Sequence, residues 1–155
     1  FHHNKLIMSA LKLSSSSTLD IYSSDTDSIL DLPLLTGISA GFPSPAMDFI
    51  DLNIDLNQHL IKHPTATFYG RVKGESMKDA GINDGDLLII DKSIAPVDGR
   101  IAVCFVDGDF TLKRIKTDKD GVWLIPANES YQPIHLTESN DLRIWGVVTH
   151  VIKSV

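Results

Sequence analysis

One serine and one lysine are the residues of this sequence best suited to covalent chemistry. Ser76 follows a strand-like run and Gly74, a residue that lets the backbone bend tightly. Near such a bend, the backbone amides of Glu75 and Ser76 can point at a carbonyl oxygen and stabilise an oxyanion. Taken alone the pattern is weak, because a serine after a strand is more often a helix N-cap than a nucleophile.

Lys113 has the properties of a general base for that serine. It lies on a strand-like run with Thr111, and residues two apart on a strand project from the same sheet face. The Thr111 hydroxyl can therefore orient the lysine amine. Apolar surroundings favour the neutral amine, which is the form that a general base requires. A neutral lysine beside Ser76 would activate it, as in the Ser-Lys variant of the catalytic triad, whereas a solvated lysine would do nothing.

Patterns for other chemistry are weak in this sequence. His59 and His63 have ligand-like spacing, but Pro64 follows directly and no cysteine or carboxylate motif completes a site, so we expect a solvated pair at a helix end. The single cysteine, Cys104, lies in an apolar run and is predicted to be a buried thiol in a reducing compartment. The sequence has no glycine-rich phosphate loop and no Gly-x-Ser-x-Gly elbow. No metal or cofactor is predicted.

Composition indicates one globular domain with a tail. The chain has 155 residues, of which 43% are hydrophobic and 22% charged, and its net charge is −6. A negative charge of this size argues against direct binding of duplex DNA, which relies on many phosphate contacts. No apolar run approaches the roughly 20 residues of a membrane helix, and no secretory signal is recognisable. We therefore expect a cytoplasmic protein without a membrane anchor.

The first forty residues differ from the rest. Nine of them are serine, and such polar, repetitive sequence buries too little apolar surface to offset the entropy of ordering it. This composition predicts a flexible or loosely docked arm over residues 1–40, followed by a body over residues 41–155. Residues 29–45 are more apolar and are interrupted by glycine and proline, a pattern typical of an extended strand or a peptide lying in a groove.

The body has mostly β patterns. Residues 48–60 can form a helix with one apolar face, although alternation over 50–56 also allows a strand. Short apolar runs bounded by turn residues then predict strands at 66–72, 86–91, 100–106, 109–115, 122–126 and 142–152. Asp107-Gly108 predicts a two-residue hairpin turn, and Lys119-Asp120-Gly121 predicts a second hairpin. The expected fold class is mostly β, with a compact antiparallel body.

Three motifs in a fixed order carry a resemblance to a known family. They are the pair Ala40-Gly41, the segment Gly74-Glu75-Ser76-Met77 and the segment Phe110-Thr111-Leu112-Lys113-Arg114. Gly41 precedes Ser76 by 35 positions, and Ser76 precedes Lys113 by 37. Supporting matches are the turn Asp84-Gly85-Asp86 and the late segment Trp145-Gly146-Val147-Val148. Over roughly residues 36–155 the chain resembles the LexA/UmuD family of self-cleaving Ser-Lys peptidases.

The resemblance implies a LexA-like peptidase body and a role for each motif. Ser76 would be the nucleophile, Lys113 the general base and Thr111 a residue that orients the lysine. The bond between Ala40 and Gly41 would be cut, which would remove the arm. The oxyanion would be held by the backbone amides of Glu75 and Ser76.

The arm favours the short-armed, UmuD-type branch of the family over its repressors. The first forty residues hold two lysines and no arginine, so they give no DNA-recognition helix. Membership implies a homodimer whose cleavage is stimulated by a RecA-nucleoprotein filament. It also implies that the shortened form joins a UmuC-type polymerase in error-prone translesion synthesis by DNA polymerase V. One departure is that UmuD-type proteins commonly have Cys-Gly at the cut, whereas this chain has Ala40-Gly41.

Three alternatives remain open at the level of sequence. The body could be a non-enzymatic dimeric adaptor of a polymerase, with Ser76 and Lys113 serving only the fold. It could be a self-cleaving LexA-like transcriptional regulator. A signal-peptidase-like protease with the same dyad is the third, and the lack of an apolar membrane span argues against it.

Overall fold

A computed structural model describes residues 12–23, 31–35, 50–75, 77–126, 132–137 and 143–155, with the backbone alone for 31–35 and 50–54. Short apolar runs between turn residues form its strands. In chain order the strands are β1 (Lys12–Ser15), β2 (Leu19–Ser23), β3 (Asp31–Leu35), β4 (Ile50–Asp55), β5 (Thr67–Val72), β6 (Leu87–Asp91), β7 (Ile101–Val106), β8 (Asp109–Asp118), β9 (Gly121–Ile125), β10 (Ile134–His135) and β11 (Arg143–Ile152). One short helix, α1 (Leu56–Leu60), and 3₁₀ turns at Pro64–Ala66 and Lys78–Ala80 complete the described elements.

Nine strands form one antiparallel sheet. Their order is β1-β2-β5-β6-β11-β7-β8-β9-β10, and β3 pairs with β4 in a separate two-stranded sheet. The fold class expected from the sequence, a mostly β antiparallel body, is confirmed. Among the described residues, no helix is long and apolar enough to cross a membrane.

Two apolar clusters form the core. Alternation along β7 sends Val103 into the larger cluster, and Ala102 and Cys104 into the smaller one. The buried members of the larger cluster are Leu19, Ile21, Val72, Met77, Ile82, Leu88, Ile90, Val103, Leu112 and Val148. Those of the smaller cluster are Ala102, Cys104, Ile115 and Leu124. Successive residues of one strand thus serve different clusters, which fixes the strand register.

The predicted hairpins are confirmed. Asp107 and Gly108 both have positive φ, 51° and 80°, as a two-residue turn of the expected type requires. Register pairs on either side join Val106 to Asp109 and Ile101 to Arg114. The second hairpin closes with Asp118 opposite Gly121. These two turns set β8 between β7 and β9, and both Thr111 and Lys113 lie on β8.

Residues 50–60, the described part of the segment predicted as a helix, are mainly extended rather than helical. β4 occupies Ile50–Asp55, so the strand alternative holds there, and helix α1 spans only Leu56–Leu60. The boundary is set by Asp55, whose side chain accepts a hydrogen bond from the Asn57 amide at 3.0 Å and caps the helix. The prediction of a continuous helix was wrong for residues 50–55, because this strand, β4, pairs with β3 along its length.

Part of the predicted arm packs against the body. Residues 12–23 form the paired strands β1 and β2, and Leu19 and Ile21 are 0% and 1% exposed. The serine-rich composition did not indicate this packing, because the apolar contacts come from β5 and β6, which lie about fifty and about seventy residues further along the chain. Removal of the arm by cleavage stays a prediction.

Removing a central core side chain should cost much of the stability. Leu88 is fully buried in the larger cluster, so Leu88→Ala should lower the free energy of unfolding by about 2–5 kcal/mol. Val97 is 49% exposed, and Val97→Ala should change that free energy by less than about 0.5 kcal/mol. Urea unfolding followed by circular dichroism measures both. Equal losses in the two variants would contradict the assigned core.

Candidate active site

The loop that carries Ser76 is closed at its base by paired hydrogen bonds. It leaves the sheet after Val72 and returns at β6, where the Val72 amide donates to the Asp86 carbonyl and the Gly85 amide to the Val72 carbonyl, both at 2.9 Å. Inside it, the Gly74 amide donates to Asp84 Oδ1 at 2.7 Å. Gly74 has φ 79°, a conformation that a residue with a side chain adopts only at a cost. The Asp84-Gly85-Asp86 turn therefore fixes where the chain bends before Ser76.

Asp86 is the buried anchor of this loop. Its carboxylate accepts a hydrogen bond from the Asn83 amide at 2.8 Å and pairs with the Lys153 ammonium. Burial by itself raises the pKa of the Asp86 carboxyl, but these two partners outweigh burial and hold the pKa below its usual value. The charged carboxylate is thus the form that the fold stabilises.

Met77 ties the middle of the loop to the core. Its side chain is 3% exposed, and it packs in the same apolar cluster as Leu112 of β8. Its carbonyl accepts hydrogen bonds from the amides of Ala80 and Ile82, at 3.0 and 3.2 Å, which close the 3₁₀ turn. The residue that follows Ser76 in the chain is therefore anchored in the same apolar cluster as a neighbour of Lys113 on β8.

Lys113 and Thr111 lie where the sequence places them, on one face of β8. Register pairs set Lys113 opposite Ala102 and Thr111 opposite Cys104, and both side chains are half-buried. No carboxylate in the described residues forms an ion pair with Lys113.

Cys104 is a buried, neutral thiol next to this lysine. Burial raises its pKa to about 12, although the positive charge of Lys113 acts in the opposite direction. The expectation of a buried thiol is confirmed. Because the thiol stays protonated at neutral pH, it provides no counter-ion for the lysine.

A cavity of about 190 Å³ joins the two sequence motifs. Met77, which follows Ser76, and Arg114, which follows Lys113, both line it. Its remaining lining residues are Asp79, Ala80, Ile125 and Pro126. Arg114 projects from the sheet face opposite to Lys113, but adjacent residues have Cα atoms only about 3.8 Å apart. The loop and this part of β8 are therefore spatial neighbours.

Several residues of the predicted site lie outside the described residues. Ser76 itself is one, and Ala40 and Gly41 of the scissile pair are two more. Glu75 is described: it is exposed, and its carbonyl accepts a hydrogen bond from the Lys78 amide at 3.2 Å. The structure thus brings together the neighbours of Ser76 and Lys113, while the nucleophile, the cut and the oxyanion amides remain predictions.

His59 and His63 are exposed, as expected, but His63 also has a partner that the spacing did not predict. Its Nδ1 lies 2.5 Å from Oδ2 of Asp91, a carboxylate that is 4% exposed. Burial raises the pKa of Asp91, but hydrogen bonds from Ser93 and His63 outweigh it and leave the pKa low. Sequence spacing gave no signal for this pair, since Asp91 lies 28 residues away. Among described residues, no three His, Cys, Asp or Glu side chains are grouped as metal ligands would be.

Comparison with known proteins decides the family. Over residues 33–149, which is more than half of the chain, the sequence matches the family described as Peptidase S24-like. The chain belongs to this family. It is 38% identical to protein MucA of Escherichia coli over 135 residues, or 85% of this chain and 92% of that protein.

Two further relatives point to the same branch. The chain is 43% identical to protein SamA of Salmonella typhimurium over 73% of its length and 78% of that protein. It is 44% identical to protein ImpA of Shigella flexneri over 73% of its length and 77% of that protein. A LexA repressor from Vibrio atlanticus is 40% identical, but the match spans only 60% of the repressor. The chain is a UmuD-type self-cleaving serine peptidase of the SOS response, which confirms the resemblance seen in the sequence.

Replacing the anchor of the loop should remove a pH-dependent part of the stability. In the fold the Asp86 carboxyl has a lowered pKa, so its contribution is present above the unfolded value of about 3.9 and is lost as the pH falls through the folded value. Asp86→Asn should lower the free energy of unfolding at pH 7 by about 1–3 kcal/mol. The difference in free energy of unfolding between the variant and the original chain should become smaller below about pH 4.

Urea unfolding at a series of pH values measures that difference. The control is Glu75→Gln in the same loop, where the side chain is exposed and no loss is expected at either pH. A difference that stays constant from pH 7 to pH 2 would show that the charge of Asp86 contributes nothing to the anchor.

Proposed function

We propose that this chain cuts itself between Ala40 and Gly41 with a dyad of Ser76 and Lys113. The observation that carries this proposal is the shared cavity, which is lined both by Met77, the residue after Ser76, and by Arg114, the residue after Lys113. Supporting it are the half-buried Lys113, which has no carboxylate partner among the described residues, and the Thr111 hydroxyl on the same face of β8.

In the proposed reaction, Lys113 transfers the protons and Ser76 forms the covalent intermediate. The neutral Lys113 amine takes the Ser76 proton as Ser76 Oγ attacks the Ala40 carbonyl carbon. Backbone amides of Glu75 and Ser76 stabilise the tetrahedral oxyanion. Collapse breaks the bond to Gly41, and its nitrogen leaves with a proton from the lysine ammonium. Water then hydrolyses the acyl-enzyme, with the neutral lysine acting as base again.

The topology favours an intramolecular substrate. Strands β3 and β4 pair with each other, and the scissile bond lies in the chain that links them. A tethered bond reaches the dyad at high effective concentration, so modest chemistry suffices. A RecA-nucleoprotein filament need only shift a conformational population toward the form in which the bond lies at Ser76.

The proposed context is SOS mutagenesis. The match to MucA, SamA and ImpA supports a role in this system with a polymerase partner. In the proposed function the chain forms a homodimer, and its shortened form joins a UmuC-type polymerase in translesion synthesis. The alternative is a non-enzymatic adaptor with the same partners. It shares the dimer and the polymerase but not the cleavage, so self-cleavage distinguishes the two.

Ser76→Ala and Lys113→Ala should each abolish cleavage while leaving the fold intact. Overnight incubation at pH 10 favours a neutral lysine, and intact mass spectrometry should then show a fragment beginning at Gly41 only in chains with both residues. Lys116→Ala is the matched control, because Lys116 lies exposed on the same strand. Thermal unfolding should be nearly unchanged in all three variants.

Cutting in either dyad variant would refute the assignment. If the original chain stays whole at pH 10, incubation with RecA, single-stranded DNA and a non-hydrolysable ATP analogue should produce the same fragment. Failure there as well would leave the adaptor as the function.

The residue before the scissile bond should have to be small. Ala40→Cys should keep the cleavage rate within about tenfold, whereas Ala40→Trp should reduce it by more than about a hundredfold through a clash beside the nucleophile. Fragment mass over time measures both rates. Equal rates in the two variants would place the cut at another bond.

A further inference from the structure

Strand β2 forms a five-pair ladder with one edge of β5. The pairs run from Leu19 opposite Val72 to Ser23 opposite Phe68. The other edge of β5 is taken by β6. Without β2, the described part of β5 would present a free edge, and exposed edges accept an extended strand.

The β5 edge is shaped for two apolar side chains. Leu19 and Ile21 are almost completely buried in the larger apolar cluster, although they belong to the serine-rich segment. Leu19 fits because β5 carries Gly70, where a Cβ would come within 3.2 Å of Leu19 Cδ1 and 3.0 Å of Ile90 Cδ1. A larger residue at position 70 would force one of these side chains aside.

Lys73 binds the polar groups of the same segment, beside the apolar contacts of Leu19 and Ile21. Its Nζ lies 2.7 Å from Asp20 Oδ1, and it donates to Ser15 Oγ at 3.0 Å and to the Ser16 carbonyl at 2.9 Å. Its amide donates to the Thr18 carbonyl at 2.7 Å. Lys73 and Ser15 hold the pKa of Asp20 below its usual value despite burial. One lysine thus contacts four residues in and beside the β1–β2 turn, Ser15, Ser16, Thr18 and Asp20.

The proposed cut breaks none of these contacts. It falls between β3 and β4, whose strands pair from Asp31 opposite Asp55 to Leu35 opposite Ile50. The piece before the cut therefore keeps two strand pairings with the piece after it, β2 with β5 and β3 with β4. Each pairing is non-covalent and survives hydrolysis of one peptide bond.

We infer that the β5 edge with Lys73 is a strand-binding site that retains residues 12–23 after the chain is cut. The site recognises an extended strand with the pattern apolar–acidic–apolar, which Leu19, Asp20 and Ile21 supply. Cutting and removal of the arm are then two separate steps, and removal requires competition for this edge. The position of the natural cut rests on the proposed function, but the binding site does not.

The test uses the full chain with an engineered cut. A recognition sequence for a specific protease is inserted between Ala40 and Gly41, and Ser76→Ala prevents self-cleavage. After complete digestion, size-exclusion chromatography at micromolar concentration should show both pieces eluting together in a one-to-one ratio. Immediate separation of the pieces would overturn the inference. Because the protease makes the cut, a failed self-cleavage assay leaves this result unaffected.

A second insertion separates the two pairings. With the recognition sequence placed between Asp25 and Thr26, digestion leaves β1 and β2 on a piece without β3. Retention of that piece assigns the binding to the β5 edge. Its loss, with retention after the first cut, would show that β3–β4 pairing alone holds the arm and would refute the role of β5.

Variants of the chain that carries the recognition sequence between Asp25 and Thr26 test the contact with Lys73. Lys73→Met and Asp20→Asn should each speed release of the digested piece about tenfold or more, because each removes the close ion pair between the two side chains, which the longer contact of Asp20 with Lys12 at 3.5 Å does not replace. Lys119→Met is the matched control, since Lys119 is exposed at the tip of the β8–β9 hairpin and should leave the release rate unchanged. Equal release rates in all three variants would contradict the recognition of an acidic residue by Lys73.

Discussion

The candidate site depends on one buried carboxylate. Asp86 is 6% exposed, and its charge is offset by the Asn83 amide and the Lys153 ammonium. Because a buried charge without partners is costly, the turn can close only when both partners are in place. That closure joins β5 to β6, sets the bend at Gly74 and presses Met77 into the core. Since Lys153 follows β11, the loop also depends on the last strand of the sheet.

Local patterns were enough to predict most of the body. Strands such as β6 and β7 follow from continuous apolar runs, and the Asp107-Gly108 turn follows from the positive φ that both positions require. Local sequence patterns failed to predict structure where contacts with residues far along the chain determine it. Whether residues 50–55 form a strand depends on β3, and the burial of Leu19 depends on the space left by Gly70. Neither dependence is visible in the composition of the segment itself.

The site shows the same division between local and distant information. The placement of Thr111 and Lys113 on one face follows from strand alternation and could be read from the sequence. The approach of Met77 to Arg114 could not, because it requires the loop after β5 to fold back over β8. The pairing of His63 with Asp91 was not predicted for the same reason, because the local pattern indicated only a solvated histidine. Motif spacing predicted the chemistry, whereas only the fold shows which neighbours share a cavity.

An arm held by strand pairing gives cleavage a different physical meaning from simple release. In the uncut chain, the β1–β2 hairpin occupies the β5 edge at the high effective concentration of a tethered segment. Hydrolysis at Ala40-Gly41 would remove the tether but not the ladder, the buried Leu19 and Ile21, or the contact of Lys73 with Asp20. The proposed cut would therefore lower the local concentration of the strand without altering its fit. A partner that offered its own apolar–acidic–apolar strand would compete poorly before the cut and effectively after it. Scission would in this way turn an occupied sheet edge into one open to exchange.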